Sequence, residues 1–212
     1  MNTVAASNIT TTSAIVSVAI TSDGGSTITA KGVRWSKTSG PTINNSETNF
    51  GSDLGDFAVS INGLTSNTDY YVSAYATNSQ GAAYGNEVSF ITNIAITLPT
   101  LTTTTPANVA SFSATWGGNI ISDGNATVTE RGICYSTSTN PTTSNTKVII
   151  GSGIGTFSNS ITGLTANTNY YVRAYAINSQ SKAYGNEVSF NPTCRLSYKI
   201  AEKSFKNAVF SG

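Results

Sequence analysis

The sequence predicts an all-β protein built from two tandem antiparallel sandwiches. The first observation is a repeat, because the heptad YGNEVSF at residues 84–90 recurs letter for letter at residues 184–190. The second is the alternation of apolar and polar residues along most of the chain, and the third is the Asp-Gly, Asn-Gly and Thr-Gly pairs that interrupt it. Alternation is typical of strands and these pairs are typical of tight turns, so almost no helix is expected.

The repeat extends far beyond the heptad. With an offset of one hundred positions, SDGGSTITAKGVRWS at 22–36 aligns without a gap with SDGNATVTERGICYS at 122–136. From Ser60 to Phe90, 24 of 31 residues are identical to their partners. A duplication of this length predicts two domains of ordinary size, at 1–95 and 96–190, followed by a tail at 191–212 that does not repeat.

The composition argues against two classes of partner. Charged residues make up 10% of the chain and the net charge is +1, whereas nucleic-acid binding needs a clustered basic surface. No stretch approaches the 18 or so apolar residues of a membrane span, and the opening MNTVAASNIT lacks the pattern of a signal peptide. We therefore expect no nucleic acid, no membrane span and a leader that was removed or never present.

The strand before the repeated heptad carries the most specific pattern. The segments GLTSNTDYYVSAYATN at 63–78 and GLTANTNYYVRAYAIN at 163–178 resemble the junction before the sixth strand of fibronectin type III domains. In that family a Leu lies six positions before a Tyr whose hydroxyl hydrogen-bonds back to the loop, and Leu64 with Tyr70 and Leu164 with Tyr170 fit this tyrosine corner. The segments SDGG...KGVRWS and YGNEVSF further resemble the fibronectin-like repeats of bacterial surface and secreted proteins.

The resemblance covers residues 3–190 and implies two immunoglobulin-like sandwiches located outside the cell or on its surface. It implies no Arg-Gly-Asp adhesion, because Arg131-Gly132 is followed by Ile133. The family's second-strand Trp has a counterpart in Trp116, but the first half has Val16 there. Between the halves, Pro99 suits the beginning of an edge strand, which leaves a connection of about five residues, near the usual length.

The residues offer little for catalysis. The chain has no histidine, the commonest general base. Asp53 and Asp56 lie close in one loop, but neither is repeated in the second half, and a solvated turn explains them better than a glycosidase pair. Asp23 and Asp123 recur at matching turns without the further oxygen ligands that calcium requires. We expect no enzyme activity, no metal and no cofactor.

The outer face of the sixth strand is the best candidate for binding a protein or glycan partner. Aromatic rings beside an arginine bury area while offering hydrogen bonds. Outward tyrosines also form cross-strand pairs that stabilise the sheet itself, and this alternative stays open. The candidate residues are Tyr71, Tyr75, Tyr171, Arg173 and Tyr175.

Two features remain ambiguous in the sequence. Cys134 takes the place of Arg34, on the face of its strand directed away from the main core, and could either stay free or pair with Cys194 as a disulfide. The tail at 191–212 is basic, and its pattern fits a strand, a helix or a loosely ordered terminus. As a strand it could add to the sheet edge of a neighbouring copy and so mediate self-association.

The sequence therefore favours a non-catalytic spacer or adhesion module of a bacterial surface or secreted protein. Two alternatives from other classes stay open. One is a structural subunit of a virion or fibre that assembles through sheet edges or the tail, and the other is an accessory module that binds carbohydrate.

Overall fold

The computed structural model describes residues 1–42 and 44–193, and every regular element in those residues is a β-strand. This confirms the predicted fold class. The chain divides into two compact units, Met1–Ala95 and a second unit that begins at Ile96. Cys194 and most of the basic tail lie outside the described residues, and so do the predictions that concern them.

Unit 1 is a sandwich of two antiparallel sheets. A three-stranded sheet has the order β1-β2-β5 and a four-stranded sheet has the order β4-β3-β6-β7, so the chain crosses between the sheets three times. The strands are β1 (Asn2–Ser7), β2 (Ser13–Ala19), β3 (Ala30–Ser36), β4 (Ser46–Gly51), β5 (Phe57–Asn62), β6 (Asp69–Asn78) and β7 (Gly81–Ile91).

Unit 2 has the same strand order in both of its sheets. The three-stranded sheet runs β8-β9-β12, and the second runs β11-β10-β13, where two short strands, β14 and β15, share the role that β7 has in unit 1. The strands are β8 (Thr100–Thr103), β9 (Ser113–Ser122), β10 (Glu130–Ser136), β11 (Thr146–Gly151), β12 (Gly155–Thr162), β13 (Tyr170–Ile177), β14 (Lys182–Tyr184) and β15 (Val188–Phe190).

Each unit has a hydrophobic core of its own between its sheets. Successive side chains of a strand point to opposite faces, so the alternating apolar residues of both sheets meet in the middle. In unit 1 the fully buried members include Val16, Val33 and Val72, each exposing 0% of its surface. The equivalents of the latter two, Ile133 and Val172, occupy the core of unit 2 with 0% and 1% exposed.

The two cores accommodate their largest side chain on different strands. In unit 1, Val16 on β2 is buried, and Trp35 on β3 packs against the core from its margin. In unit 2 the bulky residue is Trp116 on β9, and its indole contacts the ring of Tyr135 edge-on with centroids 5.3 Å apart. Since 16 and 116 are equivalent positions, as are 35 and 135, the small residue in unit 1 is matched by a larger one on the neighbouring sheet. The two units thus carry their tryptophan on opposite sheets of the sandwich, on β3 in unit 1 and on β9 in unit 2.

The repeated heptad connects the two sheets of each sandwich. An ideal Cβ on Gly85 would lie 2.7 Å from Thr3 Oγ1, so only glycine lets β7 approach β1 this closely. Beside it, the amide of Thr3 donates to Asn86 Oδ1 at 2.9 Å, and Asn86 Nδ2 donates to the carbonyl of Thr3 at 3.0 Å. The hydroxyl of Thr3 also accepts the amide of Ala74 at 2.9 Å.

Unit 2 repeats this connection almost atom for atom. Gly185 closely approaches Thr103, the amide of Thr103 donates to Asn186 Oδ1 at 2.9 Å, and its hydroxyl accepts the amide of Ala174 at 2.9 Å. The close approach and the side-chain bridge need Gly and Asn at fixed positions. This need accounts for the identity of Gly-Asn in the two copies of the heptad.

We expect Asn86→Ala to destabilise unit 1 by about 1–2 kcal/mol, because it removes two hydrogen bonds to the backbone of β1. Hydrogen exchange provides the measurement, and the amide of Thr3 should lose protection more than amides in β5. Asn49→Ala is the control, since that exposed side chain on β4 accepts only a local bond from the amide of Gly51. Unchanged exchange at Thr3 would show that Asn86 does not hold the strand.

Candidate functional site

The tyrosine corner is the first of the predicted sites. In unit 1 the amide of Thr65 donates to Tyr70 Oη at 3.0 Å, and in unit 2 the amide of Thr165 donates to Tyr170 Oη at 3.1 Å. The leucines six positions earlier are buried, with Leu64 exposing 5% and Leu164 exposing 4%. The bond ties the loop to the strand that follows, so these groups have a structural role.

The outer face of the four-stranded sheet in unit 1 is organised around a buried arginine. Arg34 exposes 6% of its surface, and its Nε donates to Glu47 Oε2 at 2.8 Å. Its guanidinium lies over the ring of Tyr75 at 4.3 Å and over that of Tyr84 at 5.4 Å, and Nη1 donates to the hydroxyl of Tyr84. Aromatic faces attract a cation, so the two rings and the carboxylate hold Arg34 in place.

In unit 2 the guanidinium comes from the adjacent strand. Arg34 pairs with Ser73 across β3 and β6, whereas their equivalents are Cys134 and Arg173, paired across β10 and β13. The large and the small side chain have thus exchanged strands within one cross-strand pair. Arg173 still lies over the equivalent tyrosine, Tyr184, at 4.8 Å. Both units therefore have an arginine over the tyrosine of the heptad, although the residue types at positions 34 and 73 differ from those at 134 and 173.

A second cluster on the face of unit 2 contains Tyr175, Glu130 and Lys147. The hydroxyl of Tyr175 donates to Glu130 Oε1 at 2.9 Å, and Lys147 Nζ lies 3.1 Å from the same oxygen. The hydrogen bond from Tyr175, with the nearby Lys147, lowers the pKa of Glu130 despite some desolvation. Burial, together with the bond to Glu130, raises the pKa of Tyr175 well above its usual range. The phenol therefore stays neutral and the carboxylate stays charged at neutral pH.

These contacts decide how much of the candidate face a partner could reach. Tyr75 exposes 4% and Tyr175 exposes 0%, so both rings lie on the predicted face but are covered there by the cations and carboxylates just described. Tyr71, Tyr171 and Arg173 remain half-buried and retain an accessible edge. Alternation predicted which face these side chains occupy, and the charged side chains of neighbouring strands cover two of them.

The different placement of the arginine in the two units can be tested by building the cross-strand pair of unit 2 into unit 1. Arg34→Cys should destabilise unit 1 by about 2 kcal/mol, because it removes a buried guanidinium with a charged hydrogen bond and two ring contacts. Adding Ser73→Arg reproduces the arrangement of unit 2 and should recover part of that loss in chemical denaturation. Ser73→Arg alone is the control and should not stabilise the unit, because Arg34 already occupies the space. A double variant no more stable than Arg34→Cys would contradict compensation.

Cys134 lies on the outer face of β10 and outside the core of unit 2, but neighbouring parts of the unit bury it there. It exposes 0% of its surface, and its thiol lies 3.4 Å from the carbonyl oxygen of Pro141 and 3.5 Å from that of Arg173. The neighbouring strand and the loop after β10 cover the outer face of the sheet at this point. Among the described residues it is a free cysteine, and pairing with Cys194 lies outside them.

We expect the Cys134 thiol to resist modification in the folded protein, because burial raises its pKa to about 11 and little thiolate exists near neutral pH. A Cys194→Ser variant isolates the reaction, and its rate with a colorimetric disulfide reagent at pH 8 should rise sharply on adding denaturant. The elevated folded pKa also means that the stability contributed by the neutral thiol is present below the unfolded pKa and is lost as the pH rises toward 11. Rapid modification of the native protein at pH 8 would contradict the burial.

The carboxylates of the loop before β5 have structural partners. Asp53 Oδ1 lies 3.2 Å from Nζ of Lys31, a lysine that is 1% exposed and sits over the ring of Phe57 at 5.1 Å. The hydrogen bond from Lys31 lowers the pKa of Asp53. Asp56 Oδ1 accepts the amide of Ile20 at 3.2 Å. Both carboxylates thus serve the fold around a buried cation and a strand end.

The repeated aspartates also have local roles. Asp23 Oδ1 accepts the amide of Gly25 at 2.9 Å, and Asp123 Oδ1 accepts the amide of Asn125 at 3.0 Å, which is the geometry of an Asx-turn. In the part of the chain that the structure describes, there is no cluster of three or more potential metal-ligating side chains. A search of the same residues finds no helix with the length and apolarity to cross a membrane.

Sequence reasoning missed the cationic members of this face. Arg34, Lys147 and the rings of Tyr84 and Tyr184 complete the clusters, but they lie on strands whose pairing is not visible in a linear reading. The available signal was the repetition of Tyr at 84 and 184 within the heptad, opposite Tyr75 and Tyr175 in the sheet.

Comparison with known proteins finds one family match. Residues 2–91 match the family described as fibronectin type III domain. Among solved structures, the crystal structure of the FN1–FN3 domains of chicken CNTN1 is similar at 12% identity and a TM-score of 0.36, over 91% of this chain and 67% of that one. No curated protein matches the sequence. The family match covers unit 1, and the repeated sequence and the strand order of unit 2 make the chain a tandem of two sandwiches of the same kind.

Proposed function

We propose that the chain is a non-catalytic extracellular spacer or adhesion module of a bacterial surface or secreted protein. Fibronectin type III domains are typically modules of this kind. The observation that carries the proposal is that the charged groups and the buried tyrosines of each outer face are engaged within their own domain. Arg34 and Tyr175, two buried polar groups of these faces, have partners that stabilise the sheet.

The structure of the core supports a spacer in a second way. Each unit buries its own set of apolar side chains, so neither needs the other to complete a core. A module that holds another domain away from a cell wall must keep its own fold under load and in dilute surroundings. Two self-contained sandwiches of antiparallel strands meet that requirement.

An adhesive role would use the accessible groups of the same faces. Tyr84 exposes 47% of its surface, and Tyr71 and Tyr171 are half-buried. These rings combine an apolar body with a hydroxyl that can reach a partner. A protein partner would therefore contact the margin of the face, where the ring of Tyr84 is exposed while its hydroxyl stays bonded to Arg34.

Surface display tests the spacer role. The chain is placed between a bacterial surface anchor and an epitope, and antibody binding is compared with that of a Gly-Ser segment of about 20 residues. The folded chain should expose the epitope more fully, because a flexible segment of that length spans only about 25 Å, whereas the 11 residues of β7 alone span about 36 Å. Equal binding would show that the folded chain provides no spacing.

A glycan array with wild type and the Tyr71→Ala, Tyr171→Ala double variant distinguishes the carbohydrate-binding alternative. The spacer proposal expects no saturable signal from either protein. Saturable binding that the double variant abolishes would replace the proposal with a carbohydrate-binding module. Concentration-dependent ordered oligomers in size-exclusion chromatography would instead favour the fibre subunit.

A further inference from the structure

One end of unit 1 has a pocket of about 280 Å³ that none of the interactions described above uses. Its floor is apolar and includes Met1, Ile20 and Ile28, and its polar rim includes Gly24 and Asn78. The pocket lies where β1 begins and β6 ends. A concave apolar site with a few polar groups at its edge is the usual form of a binding site.

The equivalent place in unit 2 is covered by the segment that leads into β8. The amide of Thr97 donates to the carbonyl of Gly124 at 2.8 Å, and the carbonyl of Thr97 accepts from Asn178 Nδ2 at 2.7 Å. An ideal Cβ on Gly124 would lie only 2.2 Å from Thr97 O, so the segment rests directly on this glycine. Gly124 and Asn178 are the counterparts of Gly24 and Asn78 on the rim of the pocket.

The segment at 97–98 makes residues of unit 2 more buried than the identical residues of unit 1. Ala76 and Asn78 in unit 1 are half-buried, whereas Ala176 exposes 0% and Asn178 exposes 4%. The residue types are the same in both units, so their own side chains do not cause the difference. The segment at 97–98, which unit 2 has and the pocket of unit 1 lacks, accounts for it.

The donor that would receive such a segment is already in place in unit 1. Asn78 Nδ2 donates to the carbonyl of Asp23 at 2.8 Å, as Asn178 Nδ2 does to Asp123 at 2.7 Å. Its other contact is a 3.5 Å approach to the carbonyl of Ser26, at the limit of a hydrogen bond. In unit 2 the same amide group makes a 2.7 Å bond to the docked segment instead.

The sequence of the segment suits docking in an extended form. Pro99 is buried, and a proline restricts the residue before it, Leu98, to extended conformations. The segment therefore loses little conformational freedom when it binds. Because residues 1 and 101 are equivalent, the counterpart of Thr97 would lie four residues ahead of Met1.

We propose that the pocket of unit 1 is a docking site for an extended peptide of the Thr-Leu-Pro type, joined to the chain directly ahead of Met1. The side-chain amide of Asn78 donates to the carbonyl of the threonine, and the carbonyl of Gly24 accepts its amide. The apolar side chains at the floor of the pocket contact the proline of the peptide. A domain of this kind thereby incorporates the segment that leads into it, and a preceding domain would be attached through a docked segment rather than a free one.

The test extends the full chain at its N-terminus with a copy of residues 93–100, which places the copied threonine four residues ahead of Met1. A matched extension replaces the Thr-Leu-Pro triplet with Gly-Ser-Gly. Chemical denaturation is followed by the fluorescence of Trp35, which lies in unit 1. The Thr-Leu-Pro extension should raise the denaturation midpoint of unit 1, and hydrogen exchange should show protection of the added threonine amide. Equal midpoints for the two extensions would overturn the proposal.

Gly24→Ala distinguishes docking from a general effect of added residues. In the chain without an extension an alanine Cβ at this position meets only Asn78 Nδ2, at 3.6 Å, so the substitution costs little beyond the strain of a positive φ of +71°. In the extended chain it should abolish the gain in midpoint, because the Cβ would occupy the site of the docked carbonyl. A gain that persists in the Gly24→Ala background would also overturn the proposal.

Unit 2 offers a reciprocal measurement on the native chain. Gly124 has a φ of +70°, nearly that of Gly24, but its Cβ position is blocked by Thr97. Gly124→Ala should therefore lower the midpoint of unit 2, read by Trp116, by more than Gly24→Ala lowers that of unit 1. Equal losses would show that the segment at 97–98 contributes nothing to unit 2 and would remove the basis of the proposal.

Discussion

Ile61→Ala should unfold unit 1 at lower denaturant while unit 2 keeps its stability, and Ile161→Ala should do the reverse. The two residues are equivalent, and both lie in the core of their own unit with 1% and 7% exposed. Removing three carbons from a packed core costs about 2–5 kcal/mol, through lost burial and the cavity that remains. The chain contains two tryptophans, Trp35 in unit 1 and Trp116 in unit 2, so single-Trp variants report each unit separately.

The matched pair makes this result specific. Val59→Ala is a control in unit 1, because Val59 is only partly buried at the edge of the core and should cost less. Two separate cores predict that each alanine shifts one tryptophan transition and leaves the other in place. A shift of both transitions by one substitution would show that the units unfold as a single cooperative body and would contradict the separate cores.

Gly32→Ala should destabilise unit 1 by about 3 kcal/mol, because the added methyl group collides with a neighbouring strand. An ideal Cβ on Gly32 would lie 1.8 Å from the carbonyl oxygen of Thr48 on β4 and 3.0 Å from the ring of Tyr75. The register between β3 and β4 shifts at this point, so the strands approach more closely than in a regular ladder. Thermal or chemical denaturation provides the measurement.

Gly40→Ala separates the collision from the conformational cost of replacing a glycine. Gly40 has a φ of +80° and nothing within 4 Å of its Cβ position, so its substitution should cost about 1 kcal/mol from backbone strain alone. Gly132, which has a Cβ position 2.0 Å from the carbonyl oxygen of Val148, should behave like Gly32 in unit 2. A Gly32→Ala loss no larger than that of Gly40→Ala would show that β4 moves aside at little cost.

Much of the fold follows from short-range patterns. Alternation along 70–76 determines which side chains share a face, and turn residues determine where strands end. The spacing of Leu64 and Tyr70 identifies the loop that the tyrosine hydroxyl closes, because that contact spans only a few residues. The repeat adds the number of units, since a duplicated sequence must satisfy the same packing twice.

The candidate site followed less well from sequence, since its contacts join residues far apart in the chain. Arg34 reaches Tyr84 across fifty positions, and the exchange of arginine between positions 34 and 173 makes sense only when β3 and β6 are seen side by side. A linear pattern assigns Tyr75 to the outer face but does not reveal the cation that covers it. The burial of Cys134 has the same cause, because a strand and a loop from elsewhere enclose it.

By itself the sequence determined that this protein is a tandem of two all-β units, and it determined which side chains of each strand face the core. Both properties depend on periodicity and on residues close together in the chain. Only the tertiary structure decided which outward groups stay accessible and why Gly-Asn recurs in the heptad. It also decided that unit 1 has an open pocket where unit 2 has the equivalent place covered by its own segment at 97–98. Those properties depend on which strands become neighbours, and that is decided by packing among residues distant in sequence.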